Sequence, residues 1–349
     1  KRTEILRRLR YQPPGGPFRQ FYAYTNFGLT EGAIAAAKAA GKPWEVLSEN
    51  LLYWPLGMYS TSSRYADFAS HRNRALNHVL IDGKWVQKYQ RKPDAQSPAG
   101  GVSSSVEDLA KWMRLQLAGG LFAGKRIVDE AALDETHKEQ INAGRGFYGL
   151  GWGVGHDAQG RLILSHSGEF ELGASTVALI IPAEELGIVV LTNGEPVGIT
   201  EGLAHTFVDN VLYGAPTQDW VPFFEEKFKE MKEAEFARSR KYDVPPVAPA
   251  PPLEDSAYLG TFANDFYGEI SIVARRGGGL AIVEGPLRKR FPMKHWDGNT
   301  FIYTDPGIEN ATGTSGIFFT IGPDGVASKV VVEDLDDNDT GTFTRVPSS

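Results

Sequence analysis

Two short patterns carry side chains able to do chemistry. Tyr24-Thr25-Asn26-Phe27-Gly28 precedes an alanine-rich stretch, and His166-Ser167-Gly168 follows a short apolar run, Leu162-Ile163-Leu164. A tyrosine and an asparagine two apart in an extended loop point the same way, so a phenol and a carboxamide can share one pocket. A phenol titrates near pH 10 and an imidazole near neutrality, so the set offers proton transfer plus a dipole to hold an amide. Gly168, at the end of a strand, would let a ligand backbone approach closely. Taken singly, each pattern has a plainer reading that is preferred: a buried tyrosine with a satisfied hydroxyl, and a histidine in a hairpin turn.

Spacing excludes several other chemistries. There is no Gly-x-Ser-x-Gly pentapeptide to present a serine to a histidine triad. The seven histidines, at 71, 78, 137, 156, 166, 205 and 295, supply no His-x-x-x-His pair, so no metal site is expected. Gly-rich phosphate loops are absent, and no cofactor is expected. With no cysteine in the chain, disulfides, thiolate zinc sites and cysteine nucleophiles fall away.

The elements that must position these residues read as follows. A short helix at 1–10 is stopped by Pro13-Pro14-Gly15. Residues 30–40 form an alanine-rich helix ending at Gly41, and Pro43 opens another through 52. Ser104-Ser-Val-Glu107 reads as a capping box before an amphipathic helix that ends at Gly119-Gly120. Then come short β-rich segments at 147–154, 162–165, 175–181 and 187–192, an antiparallel pattern, followed by a helix at 199–212. A charged helix at 223–241 leads into the proline-rich linker 244–252. Beyond it, about eight alternating segments between 258 and 343, separated by turns such as Gly277-Gly-Gly, Asp297-Gly, Asp305-Pro-Gly and Asp324-Gly, predict a small β-barrel or sandwich. The expected division is therefore 1–214, 215–254 and 255–349.

At 349 residues the chain has room for about two domains at roughly 150 residues each. A content of 42% hydrophobic and 23% charged residues fits a globular protein. No apolar run approaches the roughly 18 to 20 residues of a membrane-spanning helix. The net charge is −7, and from Glu254 onward 14 acidic residues face 8 basic ones. Nucleic acid is accordingly not an expected partner.

Together and in this order, the two patterns resemble the second and third motifs, Tyr-x-Asn and Lys/His-x-Gly, of a family of serine hydrolases. That family includes class C β-lactamases, penicillin-binding D,D-peptidases, D-aminopeptidases and related esterases. Further stretches agree with it: Trp44-Glu-Val-Leu47, Trp54-Pro-Leu-Gly-Met58, Ser97-Pro-Ala-Gly-Gly101 through Trp112-Met113, Tyr148-Gly-Leu-Gly-Trp-Gly153 and Leu191-Thr-Asn193. The resemblance covers residues 1 to about 214. It implies an α/β (α+β) β-lactamase/transpeptidase-like domain, an antiparallel sheet flanked by helices. The C-terminal segment is similar to the all-β, lipocalin-like barrel of a peptidase-like branch.

The resemblance also implies roles. A motif serine would attack a carbonyl to give an acyl-enzyme. Tyr24 would transfer the proton, Asn26 would hold the substrate amide, and His166 would stand where β-lactamases carry lysine. Gly168 would leave room at the strand, and the Glu169 N–H would donate to the oxyanion. The substrate would be a small peptide, amide or ester, and an extended peptide pairing with the strand that ends at His166 is one mode. The peptidase reading leads, with an esterase, a weak β-lactamase or a non-catalytic peptide- or peptidoglycan-binding homologue as alternatives. Association of copies into a homo-oligomer is allowed for, and a periplasmic or secreted location is favoured.

One departure matters. The family's first motif, Ser-x-x-Lys, should lie several tens of residues before Tyr24, yet no serine in this sequence has lysine three positions later. The expectation is that nucleophile and lysine belong to an N-terminal segment outside this sequence.

Overall fold

The computed structural model describes residues 1–304 and 313–347 and falls into two compact units. The first comprises Lys1–Arg2 and Gly16–Lys229, the second Thr3–Gly15 and Glu230–Ser349. Helices are α1 (Arg2–Arg8), α2 (Asn26–Ala39), α3 (Trp44–Ser48), α4 (Tyr65–Ser70), a single turn α5 (Ser97–Gly100), α6 (Val106–Leu117), α7 (Glu130–His137), α8 (Ile199–Tyr213) and α9 (Trp220–Phe236). Two short hairpins, β1 (His78–Ile81) with β2 (Lys84–Gln87) and β3 (Leu121–Phe122) with β4 (Lys125–Arg126), stand apart from the main sheet.

That sheet is antiparallel and six-stranded, built from β5 (Ile141–Asn142), β6 (Phe147–Tyr148), β7 (Gly153–His156), β8 (Leu162–Phe170), β9 (Ala174–Ile181) and β10 (Leu186–Thr192) in simple sequential order. Both of its faces are apolar, and a strand's period of two sorts neighbouring residues onto opposite sides. Leu164, Ile180 and Val189 pack with Trp112, Met113 and Leu117 of α6. Ile163, Leu179, Ile181 and Ile188 pack instead with Val208 and Leu212 of α8. Each fully buried side chain such as Leu164 or Ile180 contributes about 1.5–3 kcal/mol relative to exposure. Helices on both faces make this an α/β arrangement, an antiparallel sheet flanked by helices, as the resemblance implied.

Several expected boundaries need correction. α2 begins four residues earlier than expected, because the Thr25 hydroxyl caps it by accepting the Gly28 N–H at 3.2 Å. The cap of α6 is Ser105, not Ser104: its hydroxyl accepts the Asp108 N–H at 3.2 Å. The expected strand 147–154 is a hairpin of β6 and β7, turned at Gly151 with φ +90°. Most important for the site, β8 runs unbroken through His166-Ser167-Gly168, so no turn occurs there. The residues after Leu164 keep alternating partners across to β9, which holds the strand extended.

In the second unit, nine antiparallel strands form a nearly closed barrel. They are β11 (Gly260–Asn264), β12 (Gly268–Ala274), β13 (Leu280–Glu284), β14 (Lys289–Pro292), β15 (Lys294–Asp297), β16 (Thr300–Tyr303), β17 (Ser315–Ile321), β18 (Ala327–Val332) and β19 (Thr342–Arg345). The pairing order is β14-β13-β12-β11-β19-β18-β17-β16-β15. The interior is filled by Tyr258, Phe262, Phe291, Phe301, Phe319 and Phe343 with their aliphatic neighbours, which makes it a core. The expected turn Asp305-Pro-Gly lies outside the described residues.

Candidate active site

The site grows out of an unequal pairing of β8. On one side β9 follows it along its length, from Leu164↔Ile180 to Phe170↔Ala174. On the other side β7 is only four residues long and reaches no further than Gly153↔Ser165. Among the described residues, no strand covers that side of residues 166–170. The main-chain directions follow from two turn hydrogen bonds. The Asp157 N–H donates to the Arg161 carbonyl, so Arg161 addresses β7, whereas the Phe170 carbonyl accepts the Gly173 N–H on the β9 side. Alternation in an unbulged antiparallel ladder then turns Ser167 and Glu169 toward the uncovered edge, each with an N–H and a C=O.

His166 stands on this edge with Tyr148 and Tyr24 against it and Tyr22 packed on Tyr148. Its Nε2 lies 3.1 Å from the Tyr148 hydroxyl. The Tyr24 ring is 6.3 Å from the imidazole and 6.3 Å from the Tyr148 ring, and Tyr22 lies 5.4 Å from Tyr148. Burial holds the imidazole below its ordinary value, opposed by a hydrogen bond that the ring donates to the Ser167 backbone. Burial, then Tyr24 and Tyr22, pushes the Tyr148 phenol up to about 12. Tyr24 is 57% exposed, and burial, Tyr22 and Glu169 move it upward as well. At neutral pH the cluster therefore holds a neutral imidazole and protonated phenols. Tyr24 would act as a base only beside a cation.

The remaining sequence candidates fall as follows. Asn26 is the first residue of α2, so the extended-loop argument that paired it with Tyr24 does not describe its backbone. Its carbonyl accepts the Thr30 hydroxyl at 2.8 Å, while its carboxamide bonds to no other described protein group. At Gly168 a Cβ would sit 2.5 Å from Oγ1 of Thr176, its partner on β9, so the close neighbour on that side is a side chain of the next strand. The Glu169 side chain is exposed. Tyr22 and Tyr148 were not singled out from the sequence. Tyr148 sits inside the Tyr-Gly-Leu-Gly-Trp stretch, but only the pairing of β6 with β7 shows that it flanks β8.

A cleft of about 810 Å³ adjoins the end of β8. It runs between Tyr59–Ser62 and Ser103–Ser105 of the helical region and Phe170, Thr176 and Asn193 of the sheet. Neither Tyr24 nor His166 lines it. The wall at Thr61 is fixed by Asp108, 3% exposed, which accepts from the Ser60 N–H at 2.7 Å and the Thr61 hydroxyl at 2.9 Å. No group of His, Asp or Glu among the described residues is arranged to hold a metal ion.

A family model described as Beta-lactamase matches residues 1–208. An unguisins hydrolase of Aspergillus campestris is 28% identical over 287 residues, covering 77% of this chain and 52% of that protein. One of Aspergillus violaceofuscus is 24% identical over 302 residues, covering 77% and 53%. The chain thus spans about half the length of the curated relatives it matches. The octameric penicillin-binding protein homologue from Pyrococcus abyssi shares the fold, with a TM-score of 0.50 at 17% identity over 93% of this chain and 65% of that one.

Proposed function

Since the chain belongs to the beta-lactamase family of serine hydrolases, we propose that it hydrolyses amide or ester bonds in extended, peptide-like substrates through an acyl-enzyme. One observation carries this reading: the uncovered edge of β8, where Ser167 and Glu169 present their main-chain groups beside His166 and Tyr24. An extended substrate would add itself to that edge as a further strand. Its scissile carbonyl would then lie against the Glu169 N–H, and a preorganised oxyanion donor of this kind is typically worth about 3–4 kcal/mol.

None of the serines here is followed by lysine at the third position, so nucleophile and lysine are assigned to a Ser-x-x-Lys segment outside this sequence, seated on the site face. The lysine ammonium would supply a cation beside Tyr24 and draw its phenol down toward a usable base. Asn26, whose carboxamide bonds to no other described residue, would hold the substrate amide. Relatives named as hydrolases of unguisins support the hydrolytic part of this reading. A second reading, a non-catalytic peptide binder, keeps the edge without the nucleophile.

The test is hydrolysis of p-nitrophenyl acetate and of a D-aminoacyl amide by this chain alone and joined to a Ser-x-x-Lys segment. Activity should appear only in the joined protein, and Tyr24→Phe should lower it by about 10²–10⁴. Turnover that ignores Tyr24→Phe would remove Tyr24 from the mechanism. A joined protein that binds peptides yet never turns over would favour the binder.

A further inference from the structure

Behind the uncovered edge lies a chain of hydroxyls ending on a carboxylate. The Ser167 hydroxyl donates to Oε1 of Glu201 at 2.7 Å, and the Thr200 hydroxyl donates to Oε2 at 2.7 Å. Thr200 in turn lies 2.8 Å from the Ser175 hydroxyl. Glu201 is 7% exposed and Thr200 and Ser175 are fully buried, whereas Ser167 is half-buried at the edge. Glu201 occupies the first turn of α8, where the unpaired N–H groups of the helix favour a negative group.

The protons can be counted. A hydroxyl has one hydrogen to give and lone pairs to accept with. Thr200 has given its hydrogen to Glu201, so Ser175 must donate to Thr200. Ser167 has likewise given its hydrogen to Glu201. What Ser167 still offers toward the edge is an acceptor. To donate to an incoming carboxylate it would have to abandon a buried oxygen of Glu201, leaving that oxygen without its partner. An incoming carboxylate would also meet the Glu201 charge directly behind the hydroxyl.

We propose that Ser167 and Glu201 form a specificity pair that receives an amino group of the substrate, preferably a protonated one, and rejects a carboxylate at the same place. This rests on the edge-binding reading above and names its substrate class: peptides that present a free amine on the α8 side of the added strand. A strand added at an edge places its groups alternately toward the two faces of the sheet. One set then meets His166 and the other meets Ser167. Nearby charges agree with this preference: His166 is neutral, and the Glu169 carboxylate acts on Tyr24 from the same strand.

The experiment uses matched peptides on the 349-residue chain at pH 6.5, read by calorimetric titration. One is trialanine amide with a free amine, the other N-acetyl-trialanine with a free carboxylate, each in L and D series. The amine should bind at least tenfold tighter in one series or both. Glu201→Gln, nearly isosteric, should bring the ratio to within about threefold, chiefly by weakening the amine. Ser167→Ala, which keeps Glu201, should also shrink the ratio and covers the case in which the Gln variant does not fold. Equal or tighter binding of the carboxylate, a preference that survives both substitutions, or no binding of either peptide at millimolar concentration overturns the proposal. Hydrolysis of p-nitrophenyl acetate by the joined protein, a substrate with neither amine nor carboxylate, reports on the hydrolase reading separately.

Discussion

His166 is the residue whose environment has the clearest measurable consequence. Burial disfavours its charged form, so its folded pKa lies below the unfolded value of about 6.5. A depressed group of this kind leaves stability intact above the unfolded pKa and removes it as pH falls through the folded one. His137 and His205 are shifted the same way, also by burial, so acid acts on all three together. We expect the His166 ring proton, followed by NMR, to titrate with a midpoint below 6.5, and the melting temperature to fall as pH drops from about 6.5. A midpoint at or above 6.5 would contradict the burial of the ring. Gly168 makes a second point at this scale. Its replacement by alanine forces a methyl to within 2.5 Å of Thr176 Oγ1, and overpacking typically costs about 1–3 kcal/mol. In Gly168→Ala combined with Thr176→Ala most of that loss should return. If unfolding shows the two losses simply adding, the tight approach at this register position is not what demands glycine.

At the scale of elements, capping shows what could and could not be read in advance. Ser104 and Ser105 both begin plausible caps, with Glu107 and Asp108 three residues on. Which one wins depends on partners distant in sequence: Asp108 is drawn away to Ser60 and Thr61, and Ser104 to the Thr61 hydroxyl at 2.7 Å. Ser105→Ala should cost about 1 kcal/mol in denaturant unfolding; a negligible loss would move the cap elsewhere. The same logic explains β8. The apolar triplet before His166 announced a strand, but small polar residues after it looked like a turn. Their extension is enforced by β9, seven residue pairs long, a tertiary effect invisible along the chain. By contrast, helix α8 and the alternating strands around it were legible, because period and glycine stops act locally. Of the residues singled out in the sequence, the structure brings Tyr24 and His166 together, their rings 6.3 Å apart across 142 residues. The Tyr148 contact and the Glu201 network were not legible, since Tyr148 and Glu201 reach β8 only through sheet pairing and helix packing.

For the whole molecule, the instructive feature is how the barrel unit ends. From composition, the proline-rich run 244–252 marks an obvious boundary, and a barrel cut at residue 255 looks complete. Yet residues 230–243 belong to the same compact unit as the strands. Tyr242 is buried, packs edge-on against Trp296 at 5.3 Å, and donates its hydroxyl to Oε2 of Glu333 at 2.8 Å. The same oxygen accepts the Gly316 N–H at 3.0 Å, and Lys241 pairs with the other oxygen of Glu333. Burial together with Glu333 drives the Tyr242 phenol far upward, so it remains a donor throughout the ordinary pH range. Cutting at 255 removes a large buried ring, worth about 1.5–3 kcal/mol, and leaves Glu333 short of a charge-assisted hydrogen bond worth about as much again. In a domain of this size each kcal/mol moves Tm by roughly 4–8 °C. A fragment 230–349 should therefore melt at least about 10 °C above a fragment 255–349. Tyr242→Phe in the longer fragment, which keeps the ring and loses the hydroxyl, should fall between them. Equal melting of the two fragments would mean that the barrel is complete without its strap and that the linker composition marks the true boundary after all.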